Sequence, residues 1–144
     1  MKELRTEIEI NATPERVWDT LMDFQSYPEW NPFMQKATGK TSVGERLEIY
    51  LKPPGGMGVT IKPTVMTFNP GREFRWKGKL GISGLFDGEH IFELRPTDSG
   101  CHFVHHENFT GILVLPMLAL VGKKTLQGFN DMNAALKLRA ESTD

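Results

Sequence analysis

The sequence predicts an α+β fold: a curved antiparallel sheet of about seven strands wrapped around one long C-terminal helix, with two short helices after the first strand. Three observations lead there. Segments that alternate apolar and polar residues run from the N-terminus to Gly111, as half-buried strands do. Clusters of Gly, Pro, Asn, Asp and Ser separate them. The only long helical repeat lies at the other end, from Pro116 to about Ala140.

Residues 3–10 open the chain as a strand, with Leu4, Thr6, Ile8 and Ile10 against Glu3, Arg5, Glu7 and Glu9. A helix start follows. Thr13 is placed to cap it, Pro14 fits the first turn, and Glu15 suits the positive end of the helix dipole. Val17, Trp18 and Leu21 give that helix a short apolar face, and prolines 28 and 32 keep any second helix brief. Strands are expected at Phe33–Gly39, Arg46–Leu51, Val59–Phe68, Glu73–Lys79, 85–95 and 101–111. Pro63 implies an edge position or a bulge in the third of these. In the final helix Leu118, Val121, Thr125, Phe129, Met132 and Leu136 recur at spacings of three and four and form one apolar stripe. Gly128 interrupts good helix formers at a cost of about 1 kcal/mol, which close approach to the sheet or a slight bend would explain.

The bulk numbers bound the function. A chain of 144 residues fits a single domain, 1–144, with room for a core and a cavity. Its 17 basic and 18 acidic residues are interspersed, which leaves no footprint for nucleic acid or for an acidic membrane surface. One cysteine, Cys101, excludes an internal disulfide and cysteine-based zinc sites. The apolar run Gly111–Gly122 contains Pro116 and is shorter than the roughly 20 residues a membrane span requires. The expectation is therefore a cytoplasmic protein without stable membrane insertion, monomeric or homodimeric. Gly55–Gly58 lacks the following helix and the Lys-Ser/Thr pair of a phosphate loop. It reads as a mobile hairpin, and Gly81–Gly84 as a flexible loop.

Two adjacent strands hold the chemically informative residues. Alternation puts Phe86, Gly88, His90, Phe92 and Leu94 on one face of the first, and Cys101, Phe103, His105, Glu107 and Phe109 on one face of the second. His90, His105 and Glu107 thus share a face with phenylalanines. Burying such groups without partners costs on the order of 1–3 kcal/mol. Three readings stay open: a satisfied hydrogen-bond network, an anchor for the polar end of a ligand, or an acid/base set in which Glu107 orients a histidine base. A metal set of two histidines and a carboxylate is weaker still, and neither metal nor cofactor is expected. His102 and His106 point the other way and read as exposed residues without a role.

The segments Ile8-Glu-Ile-Asn-Ala-Thr-Pro-Glu-Arg-Val-Trp18, Tyr27-Pro-Glu-Trp-Asn-Pro-Phe33, Phe74-Arg-Trp76, Gly88-Glu-His-Ile-Phe92, His105-His-Glu-Asn-Phe-Thr-Gly111 and Gly128-Phe-Asn-Asp-Met-Asn133, in this order, resemble the helix-grip fold of the START-like (SRPBCC) superfamily, in its polyketide cyclase/dehydrase and lipid-transport branch. The resemblance spans essentially the whole chain. It implies a chamber between the curved sheet and the C-terminal helix. Alternation would line it with Trp76, Phe86, His90, Phe92, Phe103, His105, Glu107 and Phe109, and the helix would add Val121, Thr125, Phe129 and Met132. Trp30 would close it from the short-helix segment, with Tyr27 and Phe33 nearby. The expected function is binding or carrying a small apolar molecule, lipid-, isoprenoid- or polyketide-like. The alternative is a cofactor-free cyclase or dehydratase working through His90, His105 and Glu107.

Overall fold

A computed structural model describes residues 2–142; Met1, Thr143 and Asp144 of the expected domain lie outside the described residues. Strand β1 (Lys2–Ile10) leads into helix α1 (Pro14–Met22), a 3₁₀ turn (Phe24–Ser26) and the single-turn helix α2 (Tyr27–Trp30). Strands β2 (Met34–Thr38), β3 (Glu48–Leu51), β4 (Val59–Ile61), β5 (Thr64–Asn69), β6 (Glu73–Lys79), β7 (Asp87–Thr97) and β8 (Gly100–Thr110) follow. Helix α3 (Val114–Glu141) closes the chain. Thr13 caps α1 by accepting a hydrogen bond from the Arg16 amide at 3.2 Å, with Pro14 in the first turn.

The strands form two antiparallel sheets, β1-β8-β7-β6-β5 and β2-β3-β4. The expected strand Val59–Phe68 is therefore corrected to two strands in different sheets, interrupted at Lys62 and Pro63. The physical reason is Pro63, which has no N–H for a ladder, while its carbonyl accepts from the Leu47 amide at 2.8 Å. That bond, the Arg46–Thr64 bridge and the bond from the Val65 amide to the Glu45 carbonyl tie the small sheet to edge strand β5. The two sheets thereby make one curved wall.

Helix α3 fills the concave side. It begins two residues earlier than the sequence predicts, which leaves Pro116 in the first turn, where its missing N–H costs nothing. Its apolar stripe divides in function. Phe129, Met132 and Leu136 are fully buried in a core with Phe74, Trp76, Phe92, Phe103 and Leu21. Leu118, Val121 and Thr125, nearer the N-terminus, are only half-buried. Gly128 marks the division. A Cβ there would sit 2.5 Å from Phe33 Cδ1, so the glycine exists to let the Phe33 ring reach the helix. Of the two explanations offered by the sequence, close approach is the one observed.

Candidate functional site

The half-buried part of α3 faces a cavity of about 220 Å³ enclosed with β3, β4, β6, the start of β7 and the end of β8. Trp76, Phe86, Glu107, Phe109, Val121 and Thr125 line it, as does Phe33. The Thr125 hydroxyl is already committed, donating to the Val121 carbonyl at 2.9 Å. Glu107 is therefore a half-buried acid/base group on a mostly apolar wall, with Lys79 at its exposed edge.

His90, Phe92, Phe103, His105, Phe129 and Met132 lie behind that wall, in the packed core, and do not line the cavity. Trp30 stands apart, beside a polar surface groove formed with Arg16, Asp23 and Arg139, with its ring 5.3 Å from Tyr27. Tyr27 is core, its hydroxyl donating to the Leu21 carbonyl at 2.5 Å. Sequence reasoning missed Leu51, Met57, Leu80 and Met117 among the lining residues. Leu51 carried a signal, because it ends the alternating segment at 46–51. Met57 and Leu80 sit beside the glycine-rich loops, where alternation carries no information.

The polar residues form a directional chain. In the β7–β8 ladder His90 is opposite Glu107, and Phe92 is opposite His105. Glu107 Oε1 lies 3.3 Å from His90 Nδ1, a close approach without hydrogen-bond geometry, and Nδ1 has no hydrogen-bond partner among the described residues. His90 Nε2 is 2.7 Å from His105 Nε2. His105 Nδ1 is 2.8 Å from Asn133 Oδ1, and Asn133 Nδ2 donates to Thr6 Oγ1 at 2.8 Å. Thr6 in turn donates to the His105 backbone carbonyl at 2.9 Å.

That carbonyl can only accept, which fixes the direction of every bond in the chain. Thr6 spends its proton on it and must accept from the Asn133 amide nitrogen. Asn133 then presents its oxygen to His105, so His105 Nδ1 donates and its Nε2 is bare. His90 Nε2 therefore donates, and its Nδ1 is left as an acceptor pointing at Glu107. A protonated Glu107 turned toward that acceptor, 3.3 Å away, would complete the chain with no net charge.

The electrostatics agree with that polarity. Burial raises the Glu107 carboxyl to about 8. Burial, and secondarily the nearby His106, lowers His90 to about 3. His105 also falls well below its ordinary value, through burial first and His90 second, against the opposing bond to Asn133. Aromatic rings exclude water from both imidazoles: Trp76 stacks on His90 at 4.4 Å and Phe129 on His105 at 4.2 Å. A metal ion held by both Nε2 atoms at about 2.1 Å would need them farther apart than this hydrogen-bonded contact.

Gly88 makes the Glu107 position possible. A Cβ at residue 88 would fall 2.2 Å from Glu107 Oε2, so the carboxyl occupies the space a side chain would take. Oε1 faces the histidine chain, and Oε2 lies over the glycine.

Comparison with known proteins follows the same lines. The family described as "Polyketide cyclase / dehydrase and lipid transport" matches residues 1–141. The chain belongs to this family. No curated protein sequence matches it significantly. Among solved structures, a protein from Thermus thermophilus superposes with a TM-score of 0.76 at 18% identity, covering 96% of this chain and 97% of that one. A Chromobacterium violaceum protein gives 0.73 at 16% identity, over 99% and 100% of the two chains. The di-domain ARO/CYC StfQ of the steffimycin biosynthetic pathway gives 0.67 at 13% identity, with 97% of this chain matching 52% of that one. At these identities the likeness is one of fold, and it agrees with the helix-grip architecture. Among the described residues no helix is long and apolar enough to cross a membrane.

Proposed function

We propose that this family member binds and carries a compact apolar molecule in its cavity, with a hydroxyl or carbonyl of the ligand meeting Glu107. The observation that carries this reading is a mostly apolar cavity whose wall holds one half-buried carboxyl, raised to about 8 by desolvation. Small-molecule sites pair such greasy linings with a few placed polar groups. At about 220 Å³ the space is below the roughly 300–1,000 Å³ of drug-sized pockets. An isoprenoid or a small polyketide-like compound suits it better than a two-chain lipid. A neutral carboxyl also imposes a preference: it welcomes uncharged polar groups and repels none, whereas an ionised one would demand a cation. Cytoplasmic location belongs to the same proposal and is supported by the single cysteine, buried and with its thiol raised to about 11 by burial.

Native mass spectrometry of freshly purified protein tests the proposal. The expected result is a mass excess that disappears on denaturation and is absent in Val121→Trp, which fills the cavity. Equal spectra for both proteins, after offering a panel of isoprenoid and aromatic compounds, would refute it.

A second reading is favoured by the same carboxyl. A carboxyl held protonated at neutral pH can act as a general acid, as dehydration or aldol cyclisation requires. In this reading Glu107 touches the substrate, while His90 and His105 set its protonation from behind. Glu107→Gln should then abolish turnover and retain binding. Binding with no turnover in the parent protein would leave the carrier reading alone.

A further inference from the structure

Three segments surround the cavity mouth, and they share an unusual surface. The loop between β3 and β4, the loop between β6 and β7, and the start of α3 all contribute lining residues. They are joined to one another. The Ile112 and Leu113 amides donate to the Gly84 and Leu85 carbonyls, at 3.1 and 2.9 Å, and Lys124 Nζ donates to the Gly55 carbonyl at 3.2 Å.

From this joined rim large apolar side chains project into solvent. Met57 is 90% exposed, Ile82 72%, Ile112 79%, Leu115 66% and Leu120 78%. Single exposed leucines need no explanation, but a cluster ringing a cavity mouth does. Met57 also lines the cavity, but Ile82, Ile112, Leu115 and Leu120 do not, since the neighbouring Leu80, Met117, Leu118 and Val121 do so in their place.

Charge follows the same boundary. Residues 49–62, 77–86 and 108–130 carry six lysines and no aspartate or glutamate. Lys79, Lys123 and Lys124 are exposed beside the apolar residues. Of the four acids that adjoin these segments, Glu48 and Asp131 are exposed, whereas Asp87 and Glu107 are not. Asp87 is buried and its carboxylate accepts from the Gly84 amide at 3.1 Å and from Ser83. Glu107 is the cavity carboxyl already described. The chain as a whole is slightly acidic, at net charge −1, so the acidic excess lies elsewhere: charges that look interspersed in the sequence, and leave no footprint there for an acidic membrane, are regrouped by the fold, with lysines gathered toward the mouth.

We propose that the mouth is a docking surface for an anionic lipid bilayer: Met57, Ile82, Ile112, Leu115 and Leu120 dip into the headgroup layer while Lys79, Lys123 and Lys124 meet lipid phosphates. Exposed apolar side chains flanked by lysines are the combination that interfacial binding uses. A second copy of this chain fits worse, because two-fold pairing through this face would set the same lysines against each other. A shaped protein partner fits worse too. The apolar residues stand as separate side chains on three segments, which suits a fluid surface more than a complementary groove. Docked this way, the cavity opens directly onto the bilayer, so an apolar ligand could pass between them without crossing water. The surface itself does not depend on the carrier reading, since it is defined by residues outside the cavity lining together with the rim of the mouth.

The test is co-sedimentation with vesicles of three parts phosphatidylcholine to one part phosphatidylglycerol, beside vesicles of phosphatidylcholine alone. The protein is expected to bind the anionic vesicles and to weaken with salt. The double variant Lys123→Gln/Lys124→Gln should bind about fivefold more weakly per lysine removed. Ile112→Glu/Leu115→Glu, at exposed positions and with an unchanged circular dichroism spectrum as the control for folding, should bind at least about tenfold more weakly. Val121→Trp should dock like the parent protein, which separates a failure of docking from a failure of the carrier reading. No binding to anionic vesicles, or equal binding by Ile112→Glu/Leu115→Glu, overturns the proposal. So does a concentration-dependent dimer in sedimentation velocity that the same variant dissolves while neither protein binds vesicles.

Discussion

Strand β8 carries histidines on both faces, and the two faces treat them in opposite ways. On the concave side His105 and its partner His90 are sealed between Phe129 and Trp76, and burial holds both neutral. On the convex side each histidine is clasped by two carboxylates. His106 bridges Glu3 of β1 at 2.8 Å and Glu93 of β7 at 2.7 Å. His102 bridges Glu7 at 2.6 Å and Glu9. The bonds to Glu7 and Glu9 raise the His102 pKa. His102 and His106, read from the sequence as exposed and idle, are thus corrected. His106 is 7% exposed, lies opposite the buried Ile91, and knits three strands together. The lesson is that the neighbours decide the charge. An aromatic cage keeps the imidazoles of His90 and His105 neutral, whereas the carboxylate pair around His102 favours its charged form.

The largest break in this contrast comes from the relay. Asn133→Leu removes the acceptor for His105 Nδ1 and the donor to Thr6, at a depth closed to water. Stranding buried polar groups costs about 1–3 kcal/mol each, so urea unfolding at neutral pH should show a loss of about 3 kcal/mol. A loss below about 1 kcal/mol would mean that the inner chain is not the closed network described.

Next in size is the pH dependence, where the two faces can be told apart. The folded pKa of Glu107, about 8, exceeds the ordinary 4.5. The folded protein then holds a proton that the unfolded chain has lost, and stability declines as pH rises between those values. His90 has the reverse shift, from 6.5 to about 3, and costs stability as pH falls below 6.5. His105 acts in the same direction. Below pH 6.5 two histidines outweigh one carboxyl, and above it Glu107 acts alone among the three. Stability should therefore peak near pH 6.5 and drop by about 2 kcal/mol on going to pH 8. Glu107→Gln should flatten that alkaline arm. An arm that survives in Glu107→Gln would assign the titration to some other group.

What the sequence made legible divides along the same boundary. Alternation marked the inner faces of β7 and β8 correctly, because Phe92, Phe103 and Phe109 share the period-two faces of His90, His105 and Glu107. It could not rank them by depth. That order depends on Gly88, whose missing side chain brings the Glu107 carboxyl over the glycine at the cavity wall, and on Asn133, which arrives from a helix. The α3 stripe was legible as a stripe. Its division into core and cavity was not, since Phe33 docking on Gly128 is a contact between distant segments. The outer clasps were invisible for a similar reason: Glu3 and Glu7 meet their histidines only through the β1–β8 register.

Gly88→Ala sharpens the inner half further. The new Cβ would collide with Glu107 Oε2 at 2.2 Å and drive the carboxyl off its seat into the wetter cavity. Its pKa should then return toward 4.5, and the alkaline loss of stability should shrink by about half, to roughly 1 kcal/mol. Measured against Glu107→Gln, the variant separates the seat from the carboxyl itself. An unchanged alkaline arm would show that the glycine does not set the titration.

The smallest expected effect lies on the outer face. Surface ion pairs contribute only about 0.2–1 kcal/mol, so His102→Gln should cost less than about 1 kcal/mol even where the histidine is charged. The sign nonetheless distinguishes it. A histidine with a raised folded pKa stabilises the protein fully below 6.5, its ordinary value, and loses that contribution as pH rises through the folded value. The cost of His102→Gln should therefore be present at about pH 6, absent at about pH 9, and reduced by salt. The inner histidines behave oppositely, costing stability as they are forced to charge in acid. Thermal melts of His102→Gln at the two pH values, with and without added salt, read the difference directly. A cost that persists unchanged at the alkaline value would make His102 a packing residue rather than a charged cross-link.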